Sequence, residues 1–151
     1  MDVKIDDARI TMQKERYLGL ANNYDLLVID AFSDDAIPTH LLTKEAFELY
    51  QSRIKEGGII AFHTSNHFVN LPPLVTKLGN SYGFKNITVL NKATKYRGEV
   101  VSEWVLLSKD ENFLKSIHLL KIDEVVLTEN YDKSPEIWTD DYSNIISLLR
   151  F

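Results

Sequence analysis

The 151-residue chain has no cysteine, which excludes disulfides and thiolate chemistry and leaves the redox compartment unread. No apolar run approaches the roughly 20 residues that a membrane-spanning helix requires. The opening "MDVKIDDARI" has neither a basic stretch nor an apolar stretch of the kind a signal peptide carries, and the expected location is cytoplasmic. Cationic surplus is missing as well. The formal net charge is -5 with the lysines and arginines scattered, which argues against a nucleic-acid partner. Glycine occurs six times and never as G-x-G, and neither a repeat nor a low-complexity tract is visible.

What remains is the composition of an ordinary globular protein, 44% hydrophobic and 26% charged. "DVKI" reads as a short strand. "ARITMQKERYLGLANN" follows with a loosely helical pattern of Ile10, Met12, Tyr17, Leu18 and Leu20, stopped at Asn22-Asn23. "DLLVID" is a continuous apolar run, expected to be a strand covered on both faces. After a loop, Thr43 caps a helix with Ala46, Phe47, Leu49, Tyr50 and Ile54 inward and Gly57-Gly58 as its exit. "GIIAFHTSN" is the next strand, and "LPPLVTKLGNSYGF" a helix opened by proline and closed by Gly83. "NITVLNKA" and "SEWVLLSKD" are strands whose intervening loop permits a hairpin. A helix-like "ENFLKSIHLL", a short strand "DEVVL" and the segment "IWTDDYSNIISLLR" complete the chain. This alternation predicts an α/β sheet, parallel in its body.

Acidic residues gather after the first apolar run: Asp30, then Asp34 and Asp35. Like charges packed together raise one another's pKa, so such a cluster marks either a turn or a pocket for a cation. Ser33-Asp34-Asp35 before Ala-Ile-Pro is good turn chemistry in its own right. His63 and His67 are four apart, but they follow a strand rather than ride a helix, and no third ligand is evident, so a metal site is not expected. Trp104 and Trp138 are expected in the core.

Three segments carry a resemblance. The run from Tyr24 to Asn66, "YDLLVIDAFSDD…GGIIAFHTSN", is similar to the C-terminal half of the spermidine synthases, the polyamine aminopropyltransferases. "DDAR" resembles that family's Gly-Asp-Ala-Arg element, and "WTDDYSN" its C-terminal Thr-Asp-Asp signature. The resemblance implies a partial Rossmann-like fold of the S-adenosylmethionine-dependent methyltransferase type. Its sheet would be mainly parallel, end in a C-terminal antiparallel strand pair, and form a single truncated domain over residues 1–151 that lacks the first strands.

The same resemblance places Asp30 at the catalytic aspartate's position. Asp7, with Ala8 beside it, stands at the nucleoside site, and Asp34 or Asp35, with Tyr142, on the polyamine side. Decarboxylated S-adenosylmethionine or methylthioadenosine is the implied nucleoside, with no tightly bound cofactor, and a polyamine the implied partner. Two departures stand out: Asp6 replaces the family's glycine before Asp7, and the family's glycine-rich loop is missing. The isolated chain is therefore expected to be inactive. A binding or assembly module that has lost catalysis, or a fragment of a small-molecule methyltransferase, are the alternative functions. A truncated sheet would leave the "DLLVID" strand with an unpaired, apolar edge, so a homo-oligomer through that edge or the N-terminal segment is expected.

The implied chemistry explains the acids. A primary amine must be neutral to attack a sulfonium-activated carbon, and with a lysine-like pKa only about one in a thousand is neutral at pH 7, a handicap of roughly 4–5 kcal/mol. A carboxylate at a strand end can receive that proton while a second acid anchors the distal ammonium.

Overall fold

Asp7 begins the first helix by capping it. Its carboxylate accepts from the Ile10 N–H at 2.9 Å, and α1 runs over Ala8–Tyr17. The structure, a computed structural model, describes residues 3–20, 23–32, 36–92, 101–119, 125–128, 131 and 134–150. Helix α1 ends earlier than the Asn22-Asn23 signal. The Gly19 N–H bonds to the Arg16 carbonyl and the Leu20 N–H to the Glu15 carbonyl, a Schellman closure with Gly19 at φ +69. Its apolar pattern also misleads, because Met12 is buried while Ile10, Tyr17, Leu18 and Leu20 are exposed. Residues 3–5, expected to be a strand, are not one.

Among the described residues, five strands form one sheet in the order β1-β2-β4-β3-β5. They span Tyr24–Ile29, Ile54–His63, Lys85–Asn91, Ser102–Ser108 and Val125–Thr128. β1 and β2 are parallel, whereas β4 runs against both β2 and β3, and β5 against β3. Thus β1, β2 and β3 point one way, and the second strand of the β3–β4 hairpin is inserted between β2 and β3. The mixed α/β sheet is consistent with a partial Rossmann-like methyltransferase fold, with its parallel contact confined to β1–β2.

Helices α2 (Lys44–Gln51) and α3 (Pro72–Ser81) are built as their sequences indicate. Thr43 caps α2, which buries Ala46, Phe47, Leu49 and Tyr50, while Pro73 and the preceding Pro72 open α3. Gly79 of α3 lets Leu107 of β4 approach so closely that an added Cβ would lie 2.8 Å from it. The core joins these helices to Ile60, Phe62 and Leu107 of the sheet and to the fully buried Trp138. A short α4, Glu111–Leu119, contacts β3 and β4.

Two expectations need correction. Gly57-Gly58 is not a helix exit: α2 ends at Gln51, and Ile54, expected on its inward face, lies with both glycines inside β2. The pairing there jumps from Tyr24↔Ile54 to Leu26↔Ile59, so the glycines sit in a bulge, with Gly57 at φ +70. A Cβ on Gly58 would meet the Lys55 carbonyl oxygen at 2.9 Å, which explains the second glycine. β1 is not covered on both faces either. Leu27 and Ile29 face the core, but Leu26 and Val28, which alternate with them onto the opposite face of the sheet, remain 52% and 48% exposed.

Candidate active site

Asp30 follows Ile29 at the carboxyl end of β1. The buried Ile29 and Phe32 hold the chain on either side of it. Because β1 and β2 are parallel and Ile29 pairs with Phe62, the next position on β2, His63, arrives beside the aspartate. Asp30 Oδ1 and His63 Nδ1 lie 2.7 Å apart. The imidazole pairs across the strands with Trp104 of β4, and the two rings stack at 4.6 Å with an interplanar angle of 21°. Trp104 is thus half-buried against a histidine rather than placed in the core. The Asp30 side chain is 59% exposed and that of His63 25%.

The loop leaving β2 is held by its own polar groups. The Thr64 N–H donates to the Glu103 carbonyl at 2.8 Å, and the Glu103 N–H donates to Ser65 Oγ at 2.7 Å. Asn66 Oδ1 accepts from the N–H groups of Phe68 and Val69 at 2.9 and 2.8 Å. Together with Glu103 and Arg150, His63, Ser65, Asn66 and His67 line a cavity of ≈ 520 Å³. It opens at the carboxyl ends of β2 and β3, where ligands of open α/β sheets bind. Burial pushes the Glu103 carboxyl up, against the pull of Arg150, whose Nη2 donates to it at 3.1 Å.

Asp7 belongs to a second cluster. Its Oδ2 lies 2.9 Å from His40 Nε2, and the Ile10 N–H and then His40 hold its carboxyl below the usual range. Two residues on, Arg9 grips Asp140 with both nitrogens, Nη1–Oδ1 at 2.7 Å and Nη2–Oδ2 at 2.5 Å, and also donates to the His40 carbonyl at 2.8 Å. The Thr43 hydroxyl donates to Asp140 Oδ1 at 2.8 Å, and the Asp140 N–H donates to Glu45 Oε2 at 3.0 Å. The "DDAR" and "TDD" segments, 131 residues apart, therefore meet over the N-terminus of α2. Ala8 opens α1 beside this clamp. Tyr142 closes the same C-terminal turn, with its hydroxyl donating to Glu136 Oε2 at 2.6 Å.

The structure places Asp30 and Asp7 in separate hydrogen-bonded groups, whereas Asp34 and Asp35 lie outside the described residues. Among the described residues no group of three or more acidic or histidine side chains could hold a metal ion. No helix among them is long and apolar enough to cross a membrane. Sequence reasoning considered His63 only against His67, its neighbour in the chain, and missed its pairing with Asp30. The one available signal was that the apolar run of "IIAFH" ends, like that of "DLLVID", in a polar residue, which a parallel pairing would set side by side.

No protein-family model and no curated protein matches the sequence. Among solved structures, a probable spermidine synthase from Corynebacterium glutamicum is similar with a TM-score of 0.54 at 17% identity, covering 85% of this chain and 48% of that protein. The spermidine synthase from Thermotoga maritima is similar with a TM-score of 0.52, also at 17% identity, covering 93% of this chain and 44% of its own. The chain spans about half the length of the solved proteins it matches. At this identity the likeness carries the fold, which does not by itself fix an activity. The chain has a spermidine-synthase-like fold.

Proposed function

We propose that this chain is the C-terminal half of a spermidine-synthase-like domain that retains the polyamine side of an aminopropyl-transfer site. The observation that carries this reading is Asp30, an accessible carboxylate on the carboxyl end of a parallel strand, paired with His63, which itself lines the cavity. There it can take a cationic amine. The donor, decarboxylated S-adenosylmethionine, would supply the sulfonium-activated carbon. Asp7 fits the role of meeting the donor's nucleobase, because a carboxylate that accepts from Ile10 and His40 still has lone pairs for an exocyclic amine. Asp34 or Asp35, with Tyr142, completes the polyamine side in this reading. The 151 residues hold no G-x-G element to cradle that donor, so this reading expects no transfer by them alone.

A second reading is favoured by the clamp. Asp7 is engaged with His40 and Arg9 with Asp140, and among the described residues β1 has an unpaired edge, with Leu26 and Val28 exposed on one face. In that reading the chain is a binding or assembly module that associates with itself through β1. Calorimetry with spermidine and with methylthioadenosine separates the two. Heat with spermidine that disappears in D30N supports the first reading. Silence with both ligands leaves the second.

A further inference from the structure

We infer that His63, not the Asp30 carboxylate alone, is the proton acceptor of this site. The two form an acid–base pair in which Asp30 orients and His63 Nε2 reacts. The pairing is at Nδ1, 2.7 Å from Asp30 Oδ1. A carboxylate accepts only, so a neutral imidazole in this position must carry its proton on Nδ1, which leaves the Nε2 lone pair bare. Among the described residues Nε2 has no hydrogen-bond partner. The ring cannot turn freely, because it is stacked on Trp104 at 4.6 Å and only a quarter exposed. It also lines the ≈ 520 Å³ cavity with Ser65, Asn66, His67, Glu103 and Arg150. A structural aspartate–histidine pair would need none of these features. A ring fixed on both sides, with its second nitrogen unpaired and a cavity beside it, has the form of an oriented base.

The chemistry favours the imidazole over the carboxylate. An imidazole is a stronger proton acceptor than a carboxylate by roughly two to three powers of ten, and so lies closer to an alkylammonium donor. This step rests on the reading that the cleft takes an amine. The ammonium N–H bond breaks, its electron pair stays on nitrogen, and the proton bonds to Nε2. The resulting imidazolium is held through its Nδ1–H by the Asp30 carboxylate. The neutral amine then forms a C–N bond to the carbon of a sulfonium donor. The C–S bond breaks with its electron pair leaving on sulfur as a neutral thioether, and the product is an ammonium. The proton on His63 returns to water when the product leaves.

The test is nitrogen NMR on the full chain, isotopically labelled, at a pH where imidazoles are neutral. His63 is expected as the Nδ1–H tautomer with a bare Nε2, and D30A, which leaves no acceptor for Nδ1–H, is expected to return it to the Nε2–H form that unconstrained histidines prefer. A wild-type Nε2–H tautomer, or one that D30A does not change, overturns the pair. Putrescine is then added as the probe. A change at His63 Nε2 that is absent in D30A supports the amine as the proton donor. If D30A switches the tautomer while putrescine leaves Nε2 unmoved, the base stands and the polyamine reading of the cleft fails.

Discussion

Replacing Asp140 by asparagine should destabilise the fold at neutral pH and do so progressively less in acid. The shape of the side chain is kept, so the variant removes one negative charge from between the two Arg9 nitrogens and the Thr43 hydroxyl. Arg9 is only 11% exposed, which strengthens the pair, but Asp140 is 43% exposed, which lets solvent screen it. Charge-assisted hydrogen bonds are worth more than an ordinary surface ion pair, and the screening brings the expected loss down to about 1 kcal/mol. For a chain of this size that lowers Tm by roughly 2–4 °C.

The pH dependence has a definite sign. The Arg9 hydrogen bond, and after it Thr43, hold the Asp140 carboxyl below the usual range. A depressed carboxylate stabilises the folded state above its unfolded pKa of about 3.9 and loses that contribution as pH falls through the folded value. Urea unfolding of wild type and D140N should therefore differ at pH 7 and converge in strong acid. Equal stabilities at pH 7, or a gap that does not shrink on acidification, would refute the reasoning. Asp140→Ala should cost more than the asparagine variant, about 2 kcal/mol, because it leaves a largely buried guanidinium without its partner.

Arg53 is fully buried, with Glu15 at 2.5 Å on Nη2 and two guanidinium nitrogens unpartnered among the described residues. E15Q should thus destabilise by about 2–3 kcal/mol, whereas R53M should change stability by less than about 1 kcal/mol in thermal melts. β1, whose outer edge is unpaired among the described residues and whose Leu26 and Val28 are exposed, predicts self-association at tens of micromolar, so light scattering should find the wild type larger than a monomer and L26K/V28K monomeric. Gly58→Ala forces a Cβ against the Lys55 and Tyr24 carbonyl oxygens and should cost about 1–3 kcal/mol by denaturant unfolding.

The elements that were legible in the sequence are those whose signals are local. Thr43 and the spacing of Ala46, Phe47, Leu49 and Tyr50 mark the start and the buried face of α2, and Pro72 and Gly83 bracket α3. The errors occur where local signals have two physical meanings. Gly57-Gly58 after a helical period looks like a helix exit, yet a bulge in β2 makes the same demand for glycine. "DLLVI" is uniformly apolar whether both faces are covered or one is open, so its sequence could not reveal that Leu26 and Val28 stay exposed.

The candidate site divides in the same way. The position of Asp30 just past a strand was legible because a strand end is a property of one segment. His63 was not, because its meaning depends on register between β1 and β2, which no single stretch encodes. Arg9 and Asp140 were each visible in a motif, but only folding joins two ends of the chain into one clamp.

The most direct measurement is a spermidine titration of wild type and D30N followed by backbone amide NMR. If the cleft receives a polycation, shifts should concentrate on Asp30, His63 and the loop through His67, and D30N should weaken them by about tenfold, the loss expected for one charge-assisted contact. Shifts scattered over the acidic surface, or a D30N response equal to wild type, would contradict the account.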